Sequence, residues 1–121
     1  MEENTEVVLR YRDGHTERVM MQPVDATREV LDVRREDGER AEVPFSQIKA
    51  VFFPRADPDA PLDEPSGSMI SIEFSDGEVI RGMANYNPER NGFFLFPDDR
   101  SKSDRIFVVN SAIMSIEVEK L

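Results

Sequence analysis

Cysteine is absent from the 121 residues, so the chain can form no disulfide framework, offer no thiolate nucleophile and build no cysteine metal site. Histidine occurs once, as His15. One histidine with no nucleophile or carboxylate partner at defined spacing supports neither a catalytic triad nor a zinc site, and His15 reads as an exposed strand residue just after a turn. The six glycines are scattered singly, which excludes a P-loop or Rossmann phosphate cradle. No apolar run approaches the roughly 18 residues that a membrane-spanning helix needs. The start MEENTEVV has neither a basic n-region nor an apolar h-region, so the expected address is a reducing cytoplasm with no membrane partner.

Positive charge is also scarce. Against 25 acidic residues stand 15 basic ones, a formal net charge of −10. The excess holds in every segment: 12 acids to 8 bases in residues 1–53, 4 to 1 in 54–68, and 9 to 6 in 69–121. Such a surface repels phosphate backbones, so broad nucleic-acid binding is disfavoured. Hydrophobic residues at 39% are enough to build a core.

What is present is strand pattern, and it occurs twice. In EVVLRYRDGHTERVMM, Val7, Leu9 and Tyr11 share one face, and Asp13-Gly14 predicts a two-residue hairpin turn with positive φ at both central positions. MISIEFSDGEVIRGMA repeats this with Ile70, Ile72 and Phe74 before Asp76-Gly77. Further on, VPFSQIKAVFF (43–53) aligns with VVNSAIMSIEV (108–118), placing Ile48 against Ile113 and Val51 against Ile116. Two matched blocks in the same order predict an internal duplication of a roughly 50-residue unit whose lone core would be marginal. Between the copies, Pro54, Pro58, Pro61 and Pro65 alternate with Asp57, Asp59, Asp63 and Glu64. Proline removes ladder donors and like charges repel, so residues 54–68 are expected to form an extended, protease-sensitive linker. Asp57, Asp59 and Asp63 lack the EF-hand spacing, its glycine and its closing glutamate, and no metal site is assigned there.

The predicted fold class is therefore all-β: two tandem SH3-like or Sm-like small β-barrels, in residues 1–53 and 69–121, joined by the linker 54–68. Hairpin, bent strand, short turn and closing strand follow the order of such barrels, and Gly82 stands where a strand curls too sharply for a Cβ. Gly82→Val is expected to cost about 1–3 kcal/mol. The ending VVNSAIMSI resembles the closing motif of Sm-like RNA-binding proteins, with Ile113 and Ile116 in its apolar places. Val109 and Asn110 replace that family's arginine and glycine, so the resemblance implies fold and not RNA binding. DGEVIRGMANYNPERNGFFLFPDD followed by RIFVVNSAI, after IKAVFFPR, resembles an uncharacterised bacterial family, a domain of unknown function. That resemblance implies a bacterial source and no established activity.

No catalytic set emerges. The pair Asp98-Asp99 falls in a hairpin, where neighbouring side chains point apart, and the paired-arginine and D-x-S-x-x-G signature of the cyclic-dinucleotide-binding barrels is missing. The richest stretch is NYNPERNGFFLFPDDRSKSDR, with Arg100, Lys102 and Arg105 clustered round its last turn. Tyr86, Asn87, Arg90 and Arg105 are the candidate partner-binding residues, since tyrosine and arginine combine contact area with directional donors. The competing reading gives Asn87-Pro88 and Asn91-Gly92 turn duty and puts Phe94 and Phe96, or their alternates, in the core. The expectation is a non-catalytic protein-interaction or scaffolding module with no cofactor and an unidentified protein partner. The alternative is a small-ligand or nucleic-acid-binding regulatory module.

Overall fold

The computed structural model describes residues 5–25, 27–54, 66–98 and 103–119. Most of the expected linker, with Asp57, Asp59 and Asp63, lies outside these residues, as do Asp99, Arg100 and Lys102.

Period-two alternation builds the strands the sequence predicts. Val7, Leu9 and Tyr11 are buried on β1 (Thr5–Tyr11), and Ile70, Ile72 and Phe74 on β6 (Ser68–Phe74). The first half continues through β2 (Thr16–Met21), β3 (Val30–Arg34) and β4 (Arg40–Pro44), then a 3-10 turn (Phe45–Gln47) and β5 (Ile48–Pro54). The second continues through β7 (Val79–Ala84), β8 (Gly92–Pro97) and β9 (Ser103–Val109), then a 3-10 turn (Asn110–Ala112) and β10 (Ile113–Val118). Among the described residues there is no α-helix, and no helix long and apolar enough to cross a membrane.

The Asp-Gly turns differ in detail from the two-residue form expected. Gly14 and Gly77 have φ of 99° and 90°, but no other described residue type has positive φ, so the aspartates keep negative φ. Each turn closes with a bond from the glycine N–H to the carbonyl three residues back, Gly14 to Tyr11 at 3.1 Å and Gly77 to Phe74 at 2.9 Å. Asp13 and Asp76 accept the N–H two residues on, from His15 and Glu78, both at 3.0 Å. The result is a three-residue loop with glycine in the left-handed place.

All ten strands lie in one antiparallel sheet, in the order β10-β6-β7-β8-β9-β5-β1-β2-β3-β4. The all-β class is as predicted, but the sheet does not close, and one sheet runs through both halves in place of two separate barrels. The cause is the pairing of β5 with β9, which places Val51 opposite Phe107 and Phe53 opposite Arg105. With both β5 and β9 in mid-sheet, each buries both faces. Ile48, Val51, Phe53, Phe107 and Val109 face a core built on the first half, whereas Ala50, Ile106 and Val108 face one built on the second. At β8 the alternates of the expected phenylalanines are the buried pair: Phe93 and Leu95 enter the second core.

Candidate interaction surfaces

The β7–β8 loop carries three of the four candidate residues. Asn87 Oδ1 accepts the N–H of Glu89 at 3.0 Å, which fixes the turn locally. Asn110, in the 3-10 turn after β9, donates Nδ2 to the carbonyls of Asn87 (2.8 Å) and Arg90 (2.7 Å), and its own N–H to Asn91 at 2.9 Å. Asn91 Nδ2 in turn donates to the carbonyl of Arg28. Tyr86 meets Phe93 edge-on at 5.3 Å and remains 46% exposed. Arg105 is elsewhere. Gly92 pairs with Val109 beside the loop, whereas Arg105 lies at the far end of β9, roughly 13 Å away at about 3.3 Å per residue. Asn110 holds the loop in place. In the sequence Asn110 departs from the Sm-like motif, and an asparagine directly after an apolar run and before a short turn is a usable signal for such a clamp.

Arg105 stacks its guanidinium over Phe53 at 4.6 Å and Phe94 at 4.8 Å, in a cleft of about 260 Å³ also lined by Met21 and Val24. Asp98 is bound by Arg81 at 2.7 Å, and Arg81 also holds Glu119 at 2.6 Å, keeping the Glu119 carboxyl below its usual range. His15 is more tied down than an exposed strand residue: its ring stacks on Tyr11 at 4.0 Å and Nδ1 meets Asp13 at 2.5 Å. Burial and the hydrogen bond to Glu17 push the Tyr11 hydroxyl up to about 12.

A third group of charges welds the halves together. Lys49 on β5 is buried, and its Nζ meets Asp76 at 2.7 Å and Glu78 more closely still, 4.7 Å above the Phe74 ring. Arg10 on β1, lying over Phe52, also grips Glu78 at 2.9 Å. The Lys49 hydrogen bond lowers the Asp76 carboxyl. Burial pushes Glu78 up, but its bonds to Lys49 and Arg10 outweigh this and the net shift is down. Because both carboxyls titrate lower when folded, their contribution is complete above the unfolded value of about 4 and is lost as pH falls through the folded values. Lys49→Ala is expected to cost about 2–3 kcal/mol, below the full price of breaking a buried pair because both acids are partly exposed. Thermal melts at pH 7 and pH 3.5 check this, with the variant losing less than the native chain on acidification.

The two ends of the sheet are the remaining surfaces. Among the described residues β4 pairs only with β3 and β10 only with β6. Hydrogen bonds from Arg35 N–H to Glu39 and from Phe45 N–H to Glu29 set the alternation of the β3–β4 ladder, so the amides of Arg40 and Glu42 point outward. On β10 the bond from Glu119 N–H to Met69 does the same, turning the amides of Ile116 and Val118 outward. Clefts of about 470 and 640 Å³ flank β4, the first lined by Met20, Arg34 and Ala41, the second by Tyr11, Val43 and Pro44. Of the large apolar side chains most exposed among the described residues, Met114 (60%) and Val118 (54%) lie on β10.

Among the described residues no three histidine, aspartate or glutamate side chains gather as a metal site would require. Residues 3–120 match the model of a family of unknown function, DUF6982. The chain belongs to that family. No curated protein and no solved structure matches it. The DUF6982 match spans both halves of the sheet, so the loop, the Arg105 cleft and both open ends fall within the family's boundaries.

Proposed function

We propose that the protein is a non-catalytic protein-interaction or scaffolding module that takes up a partner segment as an added strand at an open end of its sheet. Each half is read as a copy of one SH3-like or Sm-like unit, in keeping with the strand order β5-β1-β2-β3-β4 recurring as β10-β6-β7-β8-β9. A reducing cytoplasm as its place of work accords with the lack of cysteine. The observation that carries the reading is the outward direction of the Arg40 and Glu42 amides on β4, a strand that lines two clefts, the geometry that strand addition uses. The β7–β8 loop is the weaker candidate because Asn87 and the carbonyls of Asn87 and Arg90 are already engaged in holding the turn.

Glu42→Pro removes one outward donor without touching a β3 ladder bond, and proline is tolerated on such an edge. With the full chain as bait, capture of protein partners is expected to fall at least tenfold in Glu42→Pro. It should persist in Tyr86→Ala/Arg90→Ala, with both variants melting near the native temperature. The opposite pattern would move the function to the loop. A second reading rests on Arg105 between two aromatic rings, an arrangement suited to a small planar anion. Binding that weakens steeply with added salt would favour it.

A further inference from the structure

The sheet already contains one example of what covers an edge like β4, because β9 occupies in the second half the place that β4 holds in the first. Leu95 pairs with Ile106 as Val33 pairs with Ala41, so Arg105 corresponds to Arg40 and Phe107 to Glu42. The amide phase agrees: Asn110 N–H binds Asn91 after β9 as Phe45 N–H binds Glu29 after β4. What lies against β9 is β5, the strand that follows the first 3-10 turn. Its counterpart is β10, with Val51 matching Ile116 and Phe53 matching Val118, and β10 is the other open end. Among the described residues the chain therefore joins a β5-type edge to a β4-type edge once internally and leaves one of each without a neighbouring strand.

We propose that β10 of one molecule pairs antiparallel with β4 of a second copy, in the register of the β5–β9 junction, so that the protein assembles with itself head to tail. This rests on the strand-addition reading above and names the partner. Carried across, Phe53 opposite Arg105 becomes Val118 opposite Arg40 of the next copy, and Val51 opposite Phe107 becomes Ile116 opposite Glu42. These four are the residues whose amides point outward, so both edges present hydrogen-bonding positions in matching register. The added strand covers Val118 and fills the clefts beside β4. Such a joint is heterologous, so repetition gives a closed ring if the rotation closes and a filament if it does not.

The register places Glu117 opposite Ala41 of the neighbour at a non-hydrogen-bonded position, where side chains approach most closely. The natural chain has no cysteine to interfere. Glu117→Cys and Ala41→Cys full-length variants, mixed and oxidised, are expected to give a disulfide-linked dimer containing one of each, and neither alone should do so. Sedimentation of the native chain should show concentration-dependent oligomers. Val118→Pro, which removes an outward donor of β10 without touching a β6 ladder bond, should raise the dissociation constant at least tenfold while the melting temperature of the dilute, dissociated protein stays near that of the native chain. A native chain that stays monomeric at about 100 μM, or Glu117→Cys cross-linking to itself, would overturn the proposal. If Glu42→Pro still abolished capture of other proteins in either case, strand addition would stand and only the identity of the occupant would fall.

Discussion

Gly82→Ala is expected to destabilise the protein by about 3 kcal/mol, and Gly82→Val by more than the roughly 1–3 kcal/mol expected from the sequence alone, measured by urea unfolding at neutral pH. A Cβ at this position would fall 2.7 Å from Leu95 Cδ2 and 2.9 Å from the carbonyl carbon of Phe96, with the Phe96 oxygen closer still. Main-chain atoms of a paired strand cannot swing aside as a side-chain tip can, so relief requires β7 and β8 to part. Val19 holds the matching place in the first half without difficulty, and the pairing explains why. There the β2–β3 pairing begins at Met20 and does not reach back to Val19, whereas β7 stays paired with β8 through Gly82 opposite Pro97. Gly77→Ala separates space from conformation. Nothing lies within 4 Å of its added Cβ, and the cost there is the strain of a positive φ alone, on the order of 1 kcal/mol. Equal losses at Gly77 and Gly82 would show that the tight approach of β8 is not present.

Phe107→Ala is expected to cost about 4 kcal/mol and to lower the melting temperature by roughly 15 °C, still in a single transition. Phe107 is 1% exposed, packs its ring against Phe45 at 5.8 Å and Phe94 at 5.2 Å, and fills a core composed mainly of first-half residues although it belongs to a second-half strand. Removing its ring therefore opens a cavity in one half through a residue of the other. Circular dichroism together with tyrosine fluorescence checks the result, since Tyr11 lies in the first half and Tyr86 in the second. If the first half melted early while the second kept its native midpoint, the halves would be independent.

How far these features could be read from residues alone depends on the length scale of the cause. The hairpins at Asp13-Gly14 and Asp76-Gly77 were legible because turn chemistry and alternation are local. The positive φ at both central positions was not, because a three-residue loop satisfies the same dipeptide. The union of the halves was the larger omission, and two signals for it stand in the sequence. KAVFF and RIFVV are unbroken apolar or mixed runs, whereas β1 and β6 alternate, and a strand without alternation is one covered on both faces. That places β5 and β9 in mid-sheet. It does not say that they pair with each other, since the partner is more than fifty residues distant and no local pattern encodes it. Among the candidate residues, the exposure of Tyr86 and the turn duty of Asn87 follow from residue type, but the separation of Arg105 from the loop is set by the direction of β9. The role of Lys49 is not legible in the sequence, because a lysine inside a strand is ordinarily solvated. Its burial depends on Asp76 and Glu78 arriving from the other half.

The most direct test of one sheet running through both halves is native-state hydrogen exchange at Arg105 and Phe107, whose amides point toward β5. Exchange of both only through global unfolding, with the same free energy as Ile72 at the centre of the second half, is the predicted result. Fast exchange at Arg105 and Phe107 beside a protected Ile72 would mean that β9 is an edge and that the two halves fold apart.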